Sequence, residues 1–242
     1  IALPLLWSQR HLIWNLGKRE LRVQYSQAVL GLAWAIVTPF ILMVVFSVVV
    51  QKVTKVPTFG VAYPVFAYTG LLAWTFFAGA VGSAANVLVS NPLLNKVAAP
   101  REVFVLATIG TSAVNAFIAS AVLGVLFVVY GDYPQATSIW APVLLFILLM
   151  FAVGVGLIFS ALTVYLRDLR HALPLMLQVG LFVTPVFYGL SKIPANIRVY
   201  YVILNPVAMV IDGLRLSVLR GLPPNYLYLG LSALSSAIVL VA

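Results

Sequence analysis

The chain contains no cysteine and very little charge. Of its 242 residues only 8% are Asp, Glu, Lys or Arg, and only five are acidic. Each shortage excludes something. Without cysteine there are no disulfides, no thiolate chemistry and no sulfur-ligated metal. A soluble domain carries roughly a quarter charged residues, so a water-soluble globular fold is excluded. The two histidines, His11 and His171, lie far apart and lack ligand-like spacing, so no metal site is expected. The acids Glu20, Glu102, Asp132, Asp168 and Asp212 are scattered singly. General acid–base work needs titratable groups close together, so a membrane-bound glycan-modifying enzyme finds no support. The phosphate-binding pattern G-x-x-x-x-G-K-[ST] is also missing, so any ATP that drives this chain binds elsewhere.

What is present is apolar. Hydrophobic residues make up 63% and the mean hydropathy is +1.11. Runs of about 17–27 such residues recur, each long enough to cross a hydrocarbon core about 30 Å thick as a helix. The pattern predicts an all-α integral membrane protein, one domain over 1–242. Its first 33 residues form an interfacial segment, and six spans follow at roughly 34–51, 62–88, 104–130, 139–164, 172–190 and 226–242. No cleavable signal pattern precedes the first run, which begins near Trp34.

The formal charge of +9 sits between the spans. That position favours lipid headgroups over nucleic acid as its partner. Arg10, Lys18, Arg19 and Arg22 precede the first span and place that side, with both chain ends, in the cytoplasm. Lys96, Arg101, Arg167 and Arg170 then fall on the same side. Lys52, Lys55, Lys192, Arg198, Arg215 and Arg220 fall outside, so the bias is thin. In residues 1–33, Ser8, His11, Asn15, Lys18 and Arg22 form one polar helical stripe, with Leu5, Leu12, Leu16 and Val23 opposite. This is a basic amphipathic helix for the cytoplasmic interface, or else a plain tether.

Other segments are patterned without being apolar enough to cross. Asn91–Pro92 is an N-cap and first-turn pair, and Pro100 stops a helix beyond Ala99. A helix of about two turns on the cytoplasmic side results, suited to docking on a moving partner; an ordinary polar turn is the alternative. Between the last two spans, Pro194 opens one short helix and Asn205–Pro206 a second, which Gly221 ends. Asp212 and Arg215 are spaced to pair across one turn. Two outer-face helices are expected, either a cap over an exit path or a packed surface hairpin. Small residues at every fourth position (Ser112, Ala116, Ser120, Gly124 on the third span; Ala152, Gly156, Ser160 on the fourth) mark close helix contacts. No predicted span holds an ionisable residue, whereas ion-coupled carriers usually bury one. Asp168, between Arg167 and Arg170, reads as their partner. The chain therefore either passes something passively, as a channel or scaffold, or takes its energy from another protein.

Several stretches carry a family resemblance. "KRELRVQYSQAVLGLAWAIVTP" (18–39), with Tyr25, Leu30, Gly31, Trp34 and Pro39, resembles the entry to the first span in bacterial ABC permeases that export lipid-linked polysaccharides. "YTGLLAWTFF" (68–77), "NPLLNKVAAPRE" (91–102), "YLRDLRH" (165–171) and "LNPVAMVIDGLRLSVLRG" (204–221) resemble later blocks of that family, in its order. The family is that of type-2 ABC exporters for O-antigen, teichoic acid and capsule. The resemblance implies a homodimer in the bacterial inner membrane, with two copies of a cytoplasmic ATPase subunit and a polyprenyl-linked polysaccharide as substrate. It implies no cofactor on this chain, with ATP and Mg on the partner. It assigns Asn91, Pro92, Lys96, Pro100, Arg101 and Glu102 to coupling with the ATPase. It puts Arg19, Arg22, Tyr25, Arg167, Asp168 and Arg170 at the cytoplasmic entry, and Asn205, Pro206, Asp212 and Arg215 at an outer gate.

Sugars stack their C–H faces on aromatic rings, so a glycan conduit should be rich in them. Candidates are Trp34, Phe40, Tyr63, Tyr68, Trp74, Phe77, Phe182, Phe187 and Tyr188. Aromatic belts at the membrane surface draw on the same residues. A type-2 permease for a drug or lipid is the alternative within transport, and should have a less aromatic conduit. Nine Arg against five Lys, with much Ala and Val, lean toward a high-GC, actinobacterial genome and a cell-wall galactan as the glycan.

Overall fold

A computed structural model describes residues 9–26, 33–53, 58, 60–90 and 99–241. Every regular element among them is helical: α1 Arg10–Ser26, α2 Ala33–Val53, α3 Tyr63–Ser90, α4 Arg101–Tyr130, α5 Ala141–Tyr165, α6 Leu169–Val183, α7 Ala195–Leu204, α8 Pro206–Leu214 and α9 Tyr226–Val241. A 3-10 turn, Ala136–Trp140, leads into α5, and one turn of π-helix, Arg215–Leu219, prolongs α8. Tyr63–Val89, Arg101–Tyr130 and Ala136–Tyr165 are long and apolar enough to cross a membrane alone. α7 and Pro206–Leu219 qualify only together, as a pair bent by 107°. Ala33–Val49, Leu169–Val183 and Tyr226–Val241 are apolar but shorter.

Each apolar run in the sequence thus coincides with a helix, and the boundaries have local causes. The run from 172 is helical only to Val183, because Thr184 precedes Pro185 and is held extended at φ −73°, ψ 141°. α4 starts at Arg101 behind an extended Pro100 and ends on Gly131 at φ 73°, the left-handed conformation glycine tolerates best.

α3 is the hub. It packs against α2, α4, α5, α6 and α8. Val65, Ala67, Tyr68, Leu71, Ala80 and Ala84 are fully buried on it. A helix apolar all round belongs inside a bundle. The small-residue stripes explain part of the packing. Ala152 and Ser160 of α5 are buried, and a Cβ on Gly156 would meet Ala84 of α3 at 3.0 Å. On α4 the stripe works for half its length. Ser112 faces Gly79 of α3, whereas Gly124 has no neighbour within 4 Å of an added Cβ.

Contacts define two ends of the bundle. At one, the Asp132 carboxylate accepts from the Ala62 N–H just before α3 at 2.8 Å, where an anion is favoured by the helix dipole. Gln135 N–H donates to the Val218 carbonyl at 3.0 Å, and Trp140 meets Tyr226 at 5.6 Å. At the other end, Leu88, Arg101, Tyr165 and Val241 line a common recess, so the ends of α3, α5 and α9 meet the start of α4.

α1 departs from a helix laid with its apolar face in lipid. Leu16 joins the main core, Leu12 and Ile13 pack against it, and the helix docks along α4. Arg10, His11, Trp14, Asn15, Lys18, Arg19, Arg22 and Val23 form its exposed stripe. Val23, expected on the apolar face, is 56% exposed. The apolar side is satisfied by protein, and the basic side faces out.

Candidate functional site

The most constrained polar arrangement lies where α6 stops. A helix end leaves carbonyls without partners, and inside a membrane each must find one within the protein. Side chains supply them here. Tyr188 Oη donates to the Val183 carbonyl at 2.8 Å and to that of Phe182 at 3.2 Å, and Tyr201 Oη reaches Val183 at 2.6 Å. Tyr63 Oη donates to Phe187 O at 3.2 Å. Arg215 takes the rest. Its Nη1 donates to Pro185 O at 2.7 Å and Tyr188 O at 2.9 Å, its Nη2 to Val186 O, and its Nε to Phe66 O of α3 at 3.1 Å. The guanidinium also stacks over the Phe66 ring, 3.6 Å from its centroid.

This corrects the placement of the second outer helix. α8 and its π-turn are not on the surface: Pro206 to Ile211 are buried, and Arg215 is 3% exposed. A desolvated cation costs several kcal/mol. Hydrogen bonds from a charged donor return about 1.5–3 kcal/mol each, and a desolvated cation–π contact about 2. Four bonds and one ring offset the cost, so the charge stays buried. Backbone space is shaped to match. A Cβ on Gly70 of α3 would lie 2.5 Å from Arg215 Nη2 and 2.8 Å from Val186 O, so only glycine fits there. The π-turn leaves carbonyls for other partners, and Ser217 O accepts from Thr137 Oγ1 at 2.6 Å.

The remaining outer residues are placed as follows. Pro206 opens α8 as expected, but the Asn205 side chain does not cap it. Its Nδ2 donates to Thr184 Oγ1 at 2.8 Å, tying the bend to the end of α6. Gly221, at φ 67°, ends the π-turn, and Leu222 N–H donates to Leu216 O at 3.0 Å, closing the Schellman-type stop. Asp212, Arg198, Arg220 and Arg215 line one small, half-open cavity whose walls are otherwise largely apolar. Arg215 directs its donors to carbonyls rather than to Asp212.

At the opposite end, Asn91, Pro92 and Lys96 lie outside the described residues. Pro100 is extended, and Arg101 and Glu102 are exposed on the first turn of α4, where both line an open recess of about 570 Å³. Arg19 and Arg22 are exposed on α1, whereas Tyr25 Oη donates to Asn115 Oδ1 of α4 at 2.5 Å and clasps α1 to the bundle. Arg167 and Asp168 are exposed in the turn before α6. The Asp168 carbonyl accepts from His171 and Ala172 N–H, starting that helix, while Arg170 Nε is buried without a hydrogen-bond partner.

The nine aromatic candidates divide. Tyr63, Tyr68, Trp74, Phe77 and Phe187 are buried within this protomer. Tyr68 Oη donates to Ala119 O at 2.8 Å, Phe77 stacks on Phe151 at 5.4 Å, and a Cβ on Gly180 of α6 would meet Trp74 at 2.7 Å. These rings are core, and present no face to a conduit running along the protomer's surface. Trp34 (51%), Phe40 (42%) and Phe182 (54%) are exposed, and Tyr188 is half-buried. Sequence reasoning missed Phe46, which stacks on Phe187 at 3.5 Å and approaches Phe182 at 6.0 Å, bringing α2 beside α6. It also missed Tyr201 and Thr184 as closers of α6. A tyrosine followed by Asn-Pro, after a broken apolar run, was the available signal.

A helical bundle with several apolar spans, a bent helix pair folded back into one end and a basic helix clasped to its side fits a membrane permease. The chain belongs to the ABC-2 type transporter membrane family, whose model matches residues 11–219. It is 32% identical over 206 residues to the O-antigen export system permease protein RfbA of Myxococcus xanthus, covering 84% of this chain and 78% of that one. A protein of the same name from Klebsiella pneumoniae is 27% identical over 92% of this chain and 85% of its own. The polysialic acid transport protein KpsM of Escherichia coli is 24% identical over 84% and 79%.

Replacing Arg215 by Met leaves the carbonyls of Pro185, Val186 and Tyr188, in the loop after α6, and that of Phe66 without this donor. We expect a loss of about 3–5 kcal/mol, the usual result of removing one partner from a buried ionic set. It is read as a large drop in the melting temperature of the detergent-purified chain. Gly70→Ala should lower it in the same direction, and Gly110→Ala, with nothing within 4 Å of the added carbon, should not.

Proposed function

We propose that this chain is the membrane subunit of an ATP-driven exporter that moves a polyprenyl-linked polysaccharide outward across the bacterial inner membrane. The observation that carries the reading is the identity to an O-antigen export permease over most of both chains. The chain has no ATP-binding loop, so two copies of a separate ATPase subunit bind ATP and Mg and supply the energy. This chain itself catalyses nothing. The buried Arg215 fits that reading: four of its five N–H donors are spent on carbonyls, the bonding of a structural anchor rather than of a site that binds and releases a coupling ion.

In this reading six helices span the membrane. α2, of 21 residues, reaches about 31 Å at 1.5 Å per residue. α3, α4 and α5 span outright, and α6 and α9 complete the set with the bent pair α7–α8 between them, re-entering from outside. The N-terminus is cytoplasmic, supported by the exposed basic stripe of α1. Residues 91–102 receive the ATPase's motion, with Arg101 and Glu102 at the recess where α3, α4, α5 and α9 converge. Arg19, Arg22, Arg167 and Arg170 surround the entrance. Two protomers meet through α2 and α6, whose Phe40, Val45, Met176 and Phe182 are exposed. With Trp34 and Tyr188 these rings line the conduit, and α7–α8 gate its outer end. The glycan is of O-antigen, teichoic-acid or cell-wall galactan type.

The test is to co-express the chain with the ATPase subunit and reconstitute the complex with polyprenyl-linked glycan. The chain should co-purify with the ATPase, and the glycan should become accessible on the far side only when ATP is hydrolysed. Arg101→Ala should keep hydrolysis and lose export by at least tenfold. Failure to associate with any ATPase, or wild-type export by the variant, would contradict the assignment. Because the chain lacks cysteine, Val45→Cys provides a clean second test. A short bismaleimide should link two copies at Val45→Cys but not at Val125→Cys, which is 60% exposed on α4.

A further inference from the structure

Beside the Arg215 anchor lies a cavity of about 210 Å³. It is half open, bordered by α8, its π-turn, the loop after α6, Arg198 of α7, the segment before α3 and the start of α9. Its polar lining is Ser191, Arg198, Asp212, Arg220, Asn225 and Tyr228, with Phe66 among the apolar walls. Neither the gate's packing nor the closure of α6 requires such a space. Ser191, Arg220 and Asn225 are exposed there and Arg198, Asp212 and Tyr228 half-buried, so polar groups reach the space while a ligand can still enter it.

We propose that this cavity is a binding site for a single pyranose residue of the glycan, held through its hydroxyl groups; the proposal rests on the export reading above. The donors and acceptors select the ligand. A carboxylate only accepts, a guanidinium only donates, and amide and phenol groups do both. Asp212 shares the cavity wall with Arg215, Arg198 and Arg220. A hydroxyl both donates and accepts, so neighbouring hydroxyls on one sugar ring can donate to the Asp212 carboxylate and exchange a hydrogen bond with the Tyr228 phenol on the same wall. A phosphate or carboxylate, which only accepts, meets Asp212 with like charge. The arginines are also less available to an anion than their number suggests. Arg215 is committed as described, and Arg198 already donates to Ser191 O at 3.2 Å and to Ile193 O at 2.7 Å. The Tyr228 ring offers a face for sugar C–H groups. The volume suits one six-membered ring, and the open side leaves room for the rest of a chain. A sugar seated there would touch α8, the π-turn and α9 at once, so its arrival would be felt by the bent pair.

The probe is a panel of methyl pyranosides of glucose, galactose, mannose, rhamnose and N-acetylglucosamine. They are titrated onto the full chain in nanodiscs and followed by saturation-transfer NMR. At least one should bind saturably in the millimolar range. Asp212→Asn, which replaces an acceptor oxygen by a donor, should weaken it at least tenfold, and Tyr228→Phe several-fold. Should Asp212→Asn fail to fold, Tyr228→Phe alone decides. No saturable binding by any member overturns the proposal, as does binding unchanged in the folded variants. Preferential binding of inorganic phosphate or N-acetylneuraminic acid overturns it as well, and marks an anion site. ATPase co-purification, measured on the same preparations, separates the two readings. Association without sugar binding leaves the exporter assignment standing and removes the sugar site. Sugar binding without association does the reverse.

Discussion

One cation holds one end of this protein together. α6 breaks before Pro185, and the freed carbonyls of Pro185, Val186 and Tyr188 converge on Arg215, which also reaches the Phe66 carbonyl of α3. Neither side is tolerable alone in an apolar medium. The carbonyls need donors, and a guanidinium needs acceptors or water. Each supplies what the other lacks, which is why α8 can sit inside the bundle although it carries Asp212 and leads into Arg215. Gly70, the hydroxyl bonds of Tyr63, Tyr188 and Tyr201, and the Asn205–Thr184 contact all arrange themselves around that bargain between charge and broken backbone.

The hub helix gives the anchor mechanical reach. α3 starts beside Asp132 and Phe66, at the Arg215 end, and runs 28 residues to the opposite end. There it approaches the recess that holds Arg101 and Glu102. The buried face that runs from Val65 through Tyr68, Leu71 and Ala80 to Ala84 makes it a stiff element, because close-packed interiors transmit displacement rather than absorb it. In the proposed exporter, energy enters where Arg101 and Glu102 are exposed and is used where the bent pair is seated, with α3 touching both places. In that exporter the π-turn would be the hinge. Its backbone carbonyls bond outward to Gln135 and Thr137 instead of completing a regular helix.

Much of the fold was legible in the sequence, for simple reasons. Long apolar runs have few ways to exist except as helices in a bilayer, and Pro100, Pro206, Gly131 and Gly221 mark boundaries through fixed or left-handed backbone angles. The depth of α8 was not legible. Polar residues count against insertion in any composition-based reading, and only the three-dimensional convergence of carbonyls on Arg215 reverses the sign. The aromatic set failed to resolve for a related reason. Tyr63 and Tyr68 are as aromatic as Trp34 and Phe182, but burial depends on helix rotation, which near-uniform hydrophobicity does not encode. In α1 the periodicity held for Leu12 and Leu16 and failed for Val23, and it did not name α4 as the element that covers the apolar side. An apolar stripe reads the same whether lipid or α4 covers it.

The central claim is that the re-entrant pair around Arg215 is a gate whose state follows the nucleotide bound at the far end. The direct measurement is the labelling rate of Leu216→Cys, in the π-turn beside the half-open cavity, by a membrane-impermeant maleimide. The protein would be the reconstituted complex with its ATPase subunit and lipid-linked glycan, without nucleotide, with trapped ATP and after hydrolysis. The account predicts labelling from the outer side at a rate that changes at least several-fold between these states. A rate that is the same in all three states, or labelling from the ATPase side alone, would contradict it.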